Sequence, residues 1–160
     1  MNKGMIKNSY PLPLISELID SMETKKVFTK MDLRWGYNNV QIKEGDEWKA
    51  AFTTYLGSFK PTVMYFGLTN SPATFQAMIN DLFRDMNNKE DVATFIDDVL
   101  VATETEKGYN KIVEEVLRQL EENDLYVKPE KYVWKVKEIE FLEVIMGPNG
   151  FQIEKEKMVS

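Results

Sequence analysis

The chain of 160 residues contains no cysteine and no histidine. Without cysteine, disulfide bonds and thiolate metal sites are excluded. Without histidine, Ser-His-Asp catalysis, imidazole general bases and the common zinc sites are excluded as well. Any catalysis by this chain must therefore depend on carboxylates, lysine, tyrosine or metal ions.

Long apolar runs are also missing. No segment approaches the ~18 consecutive apolar residues of a membrane span, and no signal peptide is recognisable. We therefore expect no membrane partner and an intracellular, cytoplasmic location, although the sequence does not specify the compartment further.

The composition is that of one folded domain, because 43% of the residues are hydrophobic and 12% are aromatic. The net charge is −6 and the pI is about 4.9. Nucleic-acid binding relies on Lys and Arg, so this charge argues against a self-sufficient nucleic-acid binder. Two interpretations remain open. The chain binds no nucleic acid, or it is one piece of a larger enzyme whose basic surfaces lie elsewhere.

Three acidic residues interrupt apolar segments. Asp97 and Asp98 lie in the middle of the run Val92–Ala102, and Asp32 lies within Val27–Leu33. Because removing charge from water is costly, these acids predict a compensating cation, although a solvated turn is an alternative for the Asp-Asp pair. Carboxylate oxygens suit hard divalent cations, Mg²⁺ first, and a two-metal phosphoryl or nucleotidyl transferase needs such a constellation.

The hydrophobic spacing predicts an alternation of helices and strands. Helices are expected after Pro13, after Asn70-Ser71-Pro72 as far as Asn87-Asn88, and after a capping box formed by Thr103 and Glu106. Strands are expected at 27–33, 46–54, 59–65, 132–135 and 139–145, as a folded-back pair within 92–102, and beyond a hairpin turn at Pro148-Asn149-Gly150. No glycine-rich phosphate loop follows a strand, so the pattern predicts an α+β fold with an antiparallel sheet.

Six blocks in the same order carry a family resemblance. The chain resembles the reverse transcriptase domain of gypsy-type long-terminal-repeat retrotransposons, within their Pol polyprotein. The blocks are Lys7–Leu14, Phe28–Tyr37, Phe66–Gln76, Phe95–Asp98, Leu125–Lys131 and Phe141-Leu142.

The resemblance implies an antiparallel-sheet polymerase palm with partial fingers over residues 1–160, without thumb, connection or RNase H. It implies an RNA-directed DNA polymerase with an RNA or DNA template-primer, deoxynucleoside triphosphates and the rest of the Pol polyprotein as partners. Asp32 and Asp97 would bridge two Mg²⁺ ions, for which Mn²⁺ could substitute. Asp98 would support the site, and the backbone carbonyl of Leu33 would add a ligand.

The resemblance also implies a nucleotide pocket. Tyr37 would be a steric gate that excludes the ribose 2′-hydroxyl, whereas a lone tyrosine at this position would be read as an ordinary core residue. Phe66 would lie against the sugar and base of the incoming nucleotide. Gly67 would allow the backbone to approach closely.

Template and primer contacts are implied at two further blocks. Ser71, Pro72 and Gln76 would face the template strand, and the same residues also make a capped helix end. Met146 and Gly147 would belong to the hairpin that grips the primer end, although structurally they also read as a plain hairpin.

Two features depart from the family pattern. The upstream strands that supply a Lys or Arg for the triphosphate are absent, and Glu143 stands where the family usually has glycine. These features leave open the alternative of a non-catalytic truncated remnant. Another palm-type enzyme, such as a nucleotide cyclase, is a third possibility, against which the Phe66–Gln76 block argues.

Overall fold

The computed structural model describes residues 8–153, so Lys7 and both ends of the predicted 1–160 domain lie outside the described part. The helices are α1 (Ile15–Asp20), α2 (Ser71–Leu82), α3 (Arg84–Asn87) and α4 (Tyr109–Glu122). The strands are β1 (Val27–Arg34), β2 (Phe52–Thr54), β3 (Gly57–Phe59), β4 (Val92–Phe95), β5 (Asp98–Thr103), β6 (Tyr126–Val127), β7 (Val133–Val136), β8 (Ile139–Phe141), β9 (Val144–Gly147) and β10 (Gly150–Ile153).

A five-stranded antiparallel sheet forms the centre of the fold. Its order is β4-β5-β1-β6, and β7 also pairs with β1. A three-stranded sheet, β10-β9-β8, and the hairpin β2-β3 complete the described strands. The mixture of helices with antiparallel strands is the arrangement that the hydrophobic spacing predicted.

The central sheet is buried on both faces because the side chains of β1 and β5 alternate between two apolar clusters. On one face, Met31, Leu33, Val99 and Val101 pack with buried residues of α2 and α4. On the other face, Phe28 and Leu100 pack with the buried residues Met22, Ile139, Phe141 and Met146. The middle strands therefore lie between two apolar layers.

The two strands predicted between β1 and α2 are shorter than expected. Strands were expected at 46–54 and 59–65, but residues Glu47–Ala50 form a 3₁₀ turn and the hairpin spans only β2 and β3. Pro61 follows β3 closely, and proline has no N–H to donate to a strand ladder. Val63 retains only an isolated bridge to Gln41.

The predicted strand at 139–145 is wrong, because it is a hairpin. Phe141 pairs with Val144 across a two-residue loop, Leu142 and Glu143, whose φ angles are +52° and +67°. Two residues with positive φ are typical of a tight type I′ hairpin turn. The glycine usual at position 143 in the resembled family therefore has a conformational reason.

The predicted capping box is also wrong. Thr103 ends β5 and its hydroxyl donates to the carbonyl oxygen of Thr105 (2.9 Å), whereas α4 begins after Gly108 with a φ of +92°. The helix after Asn70 begins where it was predicted, with proline in its first turn. Asn70, however, does not cap it with its side chain. Among the described residues, no helix is both long and apolar enough to cross a bilayer.

The end of α3 provides a test of backbone strain. Exposed Glu90 has a φ of +57°, and the next amide, of Asp91, donates to the carbonyl oxygen of Met86 (3.1 Å). This is the helix ending at which glycine is usual, since the left-handed conformation costs other residues about 1–2 kcal/mol. We expect Glu90→Gly to raise the free energy of unfolding by about 1 kcal/mol in urea denaturation. Glu90→Ala is the matched control, because it removes the same side chain but keeps Cβ. An equal gain in both variants would contradict the explanation.

Candidate active site

The pairing of β1 with β5 brings the predicted acids together. Asp32 lies directly opposite Asp98 in the antiparallel register, so their side chains are on the same face of the sheet. Asp97 occupies the turn between β4 and β5, and its carbonyl oxygen accepts a hydrogen bond from the Leu33 N–H (2.8 Å). The two strands thus bring the three acids to the same end of the sheet, and their role as metal ligands stays a prediction.

Two lysines neutralise Asp32. Its side chain is nearly buried, Lys128 Nζ donates to Oδ1, and Lys131 Nζ donates to Oδ2 at 3.1 Å. Burial by itself would raise the pKa of Asp32, but the hydrogen bonds and charges of Lys128 and Lys131 outweigh it. The pKa of Asp32 is consequently lowered, and the group is a carboxylate at neutral pH.

Asp98 is shifted in the opposite direction. Burial is the main cause of its raised pKa, and the negative charges of Asp97 and Asp32 add to this shift. Lys30, whose Nζ lies 3.9 Å from Oδ1 of Asp98, offsets only part of it. Repulsion among the three acids was expected to raise the pKa of at least one of them; the pKa of Asp98 is raised, but burial contributes more to this than the neighbouring carboxylates do.

The donor chemistry fits a hard divalent cation, because the site offers only carboxylate and carbonyl oxygens. Within residues 8–153, however, no three acidic side chains are arranged so that they could hold one metal ion. The ammonium groups of Lys128 and Lys131 instead hold Asp32. A divalent cation would have to displace these lysines from Asp32.

Sequence reasoning missed both lysines. Lys128 directly precedes a 3₁₀ turn, Pro129–Lys131, and Lys131 is the last residue of that turn, which follows the short strand β6. The Lys128 N–H also donates to the backbone oxygen of Asp32 (2.8 Å), which fixes this segment beside β1. The spacing Lys-Pro-Glu-Lys was a usable signal, but only the pairing of β6 with β1 shows what it faces.

Tyr37 lies beside the acids, in the 3₁₀ turn Gly36–Asn39 that follows β1. Its ring packs edge-on against Phe75 of α2, with centroids 5.7 Å apart. Burial and, second, the charge of Asp97 raise the pKa of Tyr37, so its hydroxyl is neutral at pH 7. A Cβ at Gly36 would lie 2.7 Å from Cζ of Phe75, so glycine is needed for the turn to approach α2.

Phe66 presents its ring to solvent and is 88% exposed. The ring nevertheless lies near Tyr37, with centroids 6.4 Å apart. Gly67 follows with a φ of +102°, a conformation that glycine adopts without strain. The two predicted nucleotide-pocket aromatics are therefore adjacent, and one of them has a free face.

Two predicted template contacts are buried instead of exposed. Ser71 and Gln76 each have 0% exposure. The Ser71 hydroxyl donates to the carbonyl oxygen of Tyr65 (3.1 Å), and the Gln76 amide contacts β4 and the following turn. Both side chains therefore have internal partners in this structure, Ser71 in the loop that precedes α2 and Gln76 in β4 and the following turn. Of the three, only Pro72 remains partly exposed.

The predicted primer hairpin lies in a different sheet from the acids. Met146 is fully buried in the second apolar cluster, so its side chain faces the core. Gly147 is partly exposed and pairs with Gly150 across the predicted turn. The hairpin is confirmed as a structural element, whereas its contact with a primer stays a prediction.

Comparison with known proteins decides the family. The family model described as "Reverse transcriptase (RNA-dependent DNA polymerase)" matches residues 1–146. This chain belongs to the reverse transcriptase family. The resemblance inferred from the six sequence blocks is therefore confirmed. Members of this family generally use divalent metal ions.

The relatives of this reverse transcriptase chain are polyproteins. The Transposon Tf2-3 polyprotein of Schizosaccharomyces pombe is 32% identical over 151 residues, which are 94% of this chain and 11% of the polyprotein. The Transposon Tf2-7 polyprotein of the same yeast is 31% identical over the same length. The chain thus spans about a tenth of these relatives.

Solved structures confirm the polymerase fold. The foamy viral protease-reverse transcriptase in complex with an RNA/DNA hybrid matches with a TM-score of 0.86 and 25% identity, over 97% of this chain and 21% of that one. A second structure of that protein, with double-stranded DNA, gives a TM-score of 0.87 at 25% identity, over 97% of this chain and 27% of that one.

The raised pKa of Asp98 leads to a stability prediction. A pKa above the unfolded value means that ionised Asp98 destabilises the folded state, and that this penalty vanishes below pH 3.8, where both states are protonated. We expect Asp98→Asn to raise the Tm by a few degrees at pH 7 and to give no gain near pH 3. Thermal unfolding followed by circular dichroism across this pH range measures it. Asp20→Asn, at the exposed end of α1, removes one charge away from the site and should not reproduce the effect.

Proposed function

We propose that this chain is the catalytic palm of an RNA-directed DNA polymerase, with part of its fingers. The observation that carries the proposal is the register of β1 and β5, which pairs Asp32 with Asp98, together with the hydrogen bond from the Leu33 N–H to the carbonyl oxygen of Asp97. The family match supports this reaction over that of a nucleotide cyclase or another palm-type enzyme. Its substrates would be a primer on an RNA or DNA template and deoxynucleoside triphosphates.

In the proposed reaction, the primer 3′-oxygen attacks the α-phosphorus of the triphosphate and the bond to the β-phosphate oxygen breaks. Pyrophosphate leaves with the bridging oxygen, and the hydroxyl proton passes to solvent. Asp32 and Asp97, with the carbonyl of Leu33, would hold two Mg²⁺ or Mn²⁺ ions, and Asp98 would support them. Bound divalent ions would activate the hydroxyl and stabilise the charge on the leaving group.

The charge pattern supports a nucleic-acid partner despite the net charge of −6. Between Trp48 and Asn80 the chain contains Lys49 and Lys60 but no acidic residue. This segment also carries the exposed rings of Tyr55 and Phe66. Exposed aromatic rings in a segment without negative charge suit base stacking. The acidic residues that make the chain negative lie elsewhere in the sequence.

The two lysines on Asp32 have a consistent role in this proposal. They keep the carboxylate ionised, as the lowered pKa of Asp32 indicates. Carboxylates must be deprotonated to bind a metal ion, and such an ion would take the place of Lys128 and Lys131 on Asp32. Their ammonium groups also add positive charge beside the place where a triphosphate would bind.

A primer-extension assay tests the proposal. The chain would first be measured alone, with Mg²⁺ or Mn²⁺. It would then be inserted into a reverse transcriptase that is active in the same assay, in place of that enzyme's matching segment; this hybrid is called the exchanged enzyme. We expect weak extension by the chain alone, because positioning supplies much of the rate in phosphoryl transfer. We expect robust extension after the exchange.

Asp97→Asn in the exchanged enzyme should abolish extension, whereas Asp85→Asn, outside the site, should retain it. Extension that survives Asp97→Asn would remove this residue from the mechanism. An exchanged enzyme that folds, binds template-primer and shows no extension would favour the alternative of a non-catalytic remnant.

Tyr37 gives a second prediction, on sugar selection. Its neutral ring lies next to Asp97 and exposed Phe66, where a bulky flat group would clash with a ribose 2′-hydroxyl. In the exchanged enzyme, Tyr37→Val should raise the ratio of kcat/KM for ribonucleotides to that for deoxynucleotides. Tyr37→Phe keeps the ring and should keep the ratio. If Tyr37→Val lowers the Tm but leaves the ratio unchanged, Tyr37 is only a core residue.

A further inference from the structure

Gln76 makes hydrogen bonds that join helix α2 to the catalytic turn. Its side chain is fully buried. The amide nitrogen Nε2 donates to the backbone oxygen and the hydroxyl of Thr94, both at 3.2 Å, and to Oδ1 of Asn80 at 2.8 Å. The amide oxygen Oε1 accepts the N–H of Ile96 at 2.6 Å. Both ends of this amide are therefore engaged within the fold.

Ile96 is the residue that needs this support. It has a φ of +54°, in the left-handed region that β-branched residues avoid. Phe95 pairs with Asp98, so Ile96 and Asp97 together form the two-residue turn between β4 and β5. A strained turn persists only where the surrounding structure holds it in place. The hydrogen bond from the Ile96 N–H to Gln76 is such a constraint.

The far side of the turn contacts β1. The carbonyl oxygen of Asp97 accepts the N–H of Leu33, the residue that follows Asp32. Gln76, Ile96, Asp97 and Leu33 therefore form a continuous path from α2 to the strand that carries the first acid. A change in the Ile96 conformation would therefore alter the hydrogen bond between Leu33 and Asp97 more than the pairing in the middle of the sheet.

We propose that Gln76 is a positioning residue, which holds Ile96 in its left-handed conformation so that Asp97 stays beside Asp32. The proposal takes the role of Asp97 from the proposed function, but its central test needs no polymerase activity. This positioning role replaces the predicted template contact of Gln76, because the buried side-chain amide is not accessible to a template strand.

Amide hydrogen exchange of the full chain, followed by NMR, tests the proposal. In Gln76→Leu, the amides of Ile96 and Leu33 should exchange at least about tenfold faster, as expected when a buried hydrogen-bond partner is lost. The amides of Leu100 and Val101, in the middle of β5, should change much less. Equal acceleration at all four amides, or none at Ile96 and Leu33, would overturn the proposal.

Val116→Ala is the matched control, because it shortens a fully buried side chain of α4 away from the turn. It should lower the Tm without a selective change at Ile96 and Leu33. A selective change in this control as large as that in Gln76→Leu would show that the two amides merely report general loss of stability, and would overturn the proposal.

Rescue by glycine separates positioning from general stability. Ile96→Gly removes the penalty of a positive φ, whereas Ile96→Ala removes similar packing but keeps the penalty. In the Gln76→Leu background, the glycine change should restore protection of the Leu33 amide, or folding itself if Gln76→Leu does not fold. The alanine change should not. Failure of glycine to outperform alanine would overturn the proposal.

A kinetic measurement distinguishes positioning from template contact. In the exchanged enzyme, Gln76→Leu should lower kcat with little change in KM for template-primer. A raised KM with an unchanged kcat would restore the template-contact assignment and overturn the positioning role. The amide hydrogen-exchange measurement concerns only the fold. Its result therefore stands even if the chain proves to be a non-catalytic remnant.

Discussion

The antiparallel register of β1 and β5 is the constraint on which the candidate site depends. It pairs Asp32 with Asp98 and leaves Asp97 in the turn that reaches back to Leu33. The register is strongly specified, because a slip of one residue would turn the charged side chains of Lys30 and Asp32 toward the apolar cluster that includes α2 and α4. Burial of β1 on both faces by two separate clusters thus also fixes the relative positions of the acids.

Placing three acids at one end of a buried sheet creates an electrostatic problem. The negative charges of these acids are compensated to different degrees. Asp32 is paired with Lys128 and Lys131 and has a lowered pKa, whereas Asp98 is compensated only in part by Lys30 and has a raised pKa. Such opposed shifts in neighbouring carboxylates are typical of functional sites, where charge is kept at a cost to stability. Ionisation of Asp98 therefore costs folded-state stability at neutral pH, whereas ionisation of Asp32 stabilises the fold.

The turn between β4 and β5 also contains an unfavourable backbone conformation that neighbouring groups support. Ile96 adopts a conformation that is unfavourable for a β-branched residue, and the buried amide of Gln76 contacts its N–H. On the opposite side of the site, Gly36 allows Tyr37 to pack against Phe75 without a clash. The turn that holds Asp97 and the ring of Tyr37 are thus both in contact with α2, which supports this part of the site.

Much of the site was predictable from residue patterns, because the relevant signals are local. Acids inside apolar runs marked Asp32, Asp97 and Asp98, and proline near a helix start located α2. Local patterns failed where the backbone departs from its usual conformations. The hairpin at Leu142 and Glu143 has positive φ values at residues that do not favour them, so an apolar run read as one strand. Thr103 and Glu106 matched a capping box, but Thr103 is held as the last residue of β5.

The family, the α+β class and the three acids were recognisable from residue identity and order along the chain. The partners of those acids depend on the folded chain. Lys128 and Lys131 lie 96 and 99 residues from Asp32 along the chain, and no local pattern encodes a contact at that separation. Likewise, Gln76 is an internal support and not an exposed contact because α2 packs this face of the helix against β4. Contacts between distant segments follow from how sheets and helices pack, which is a property of the whole fold.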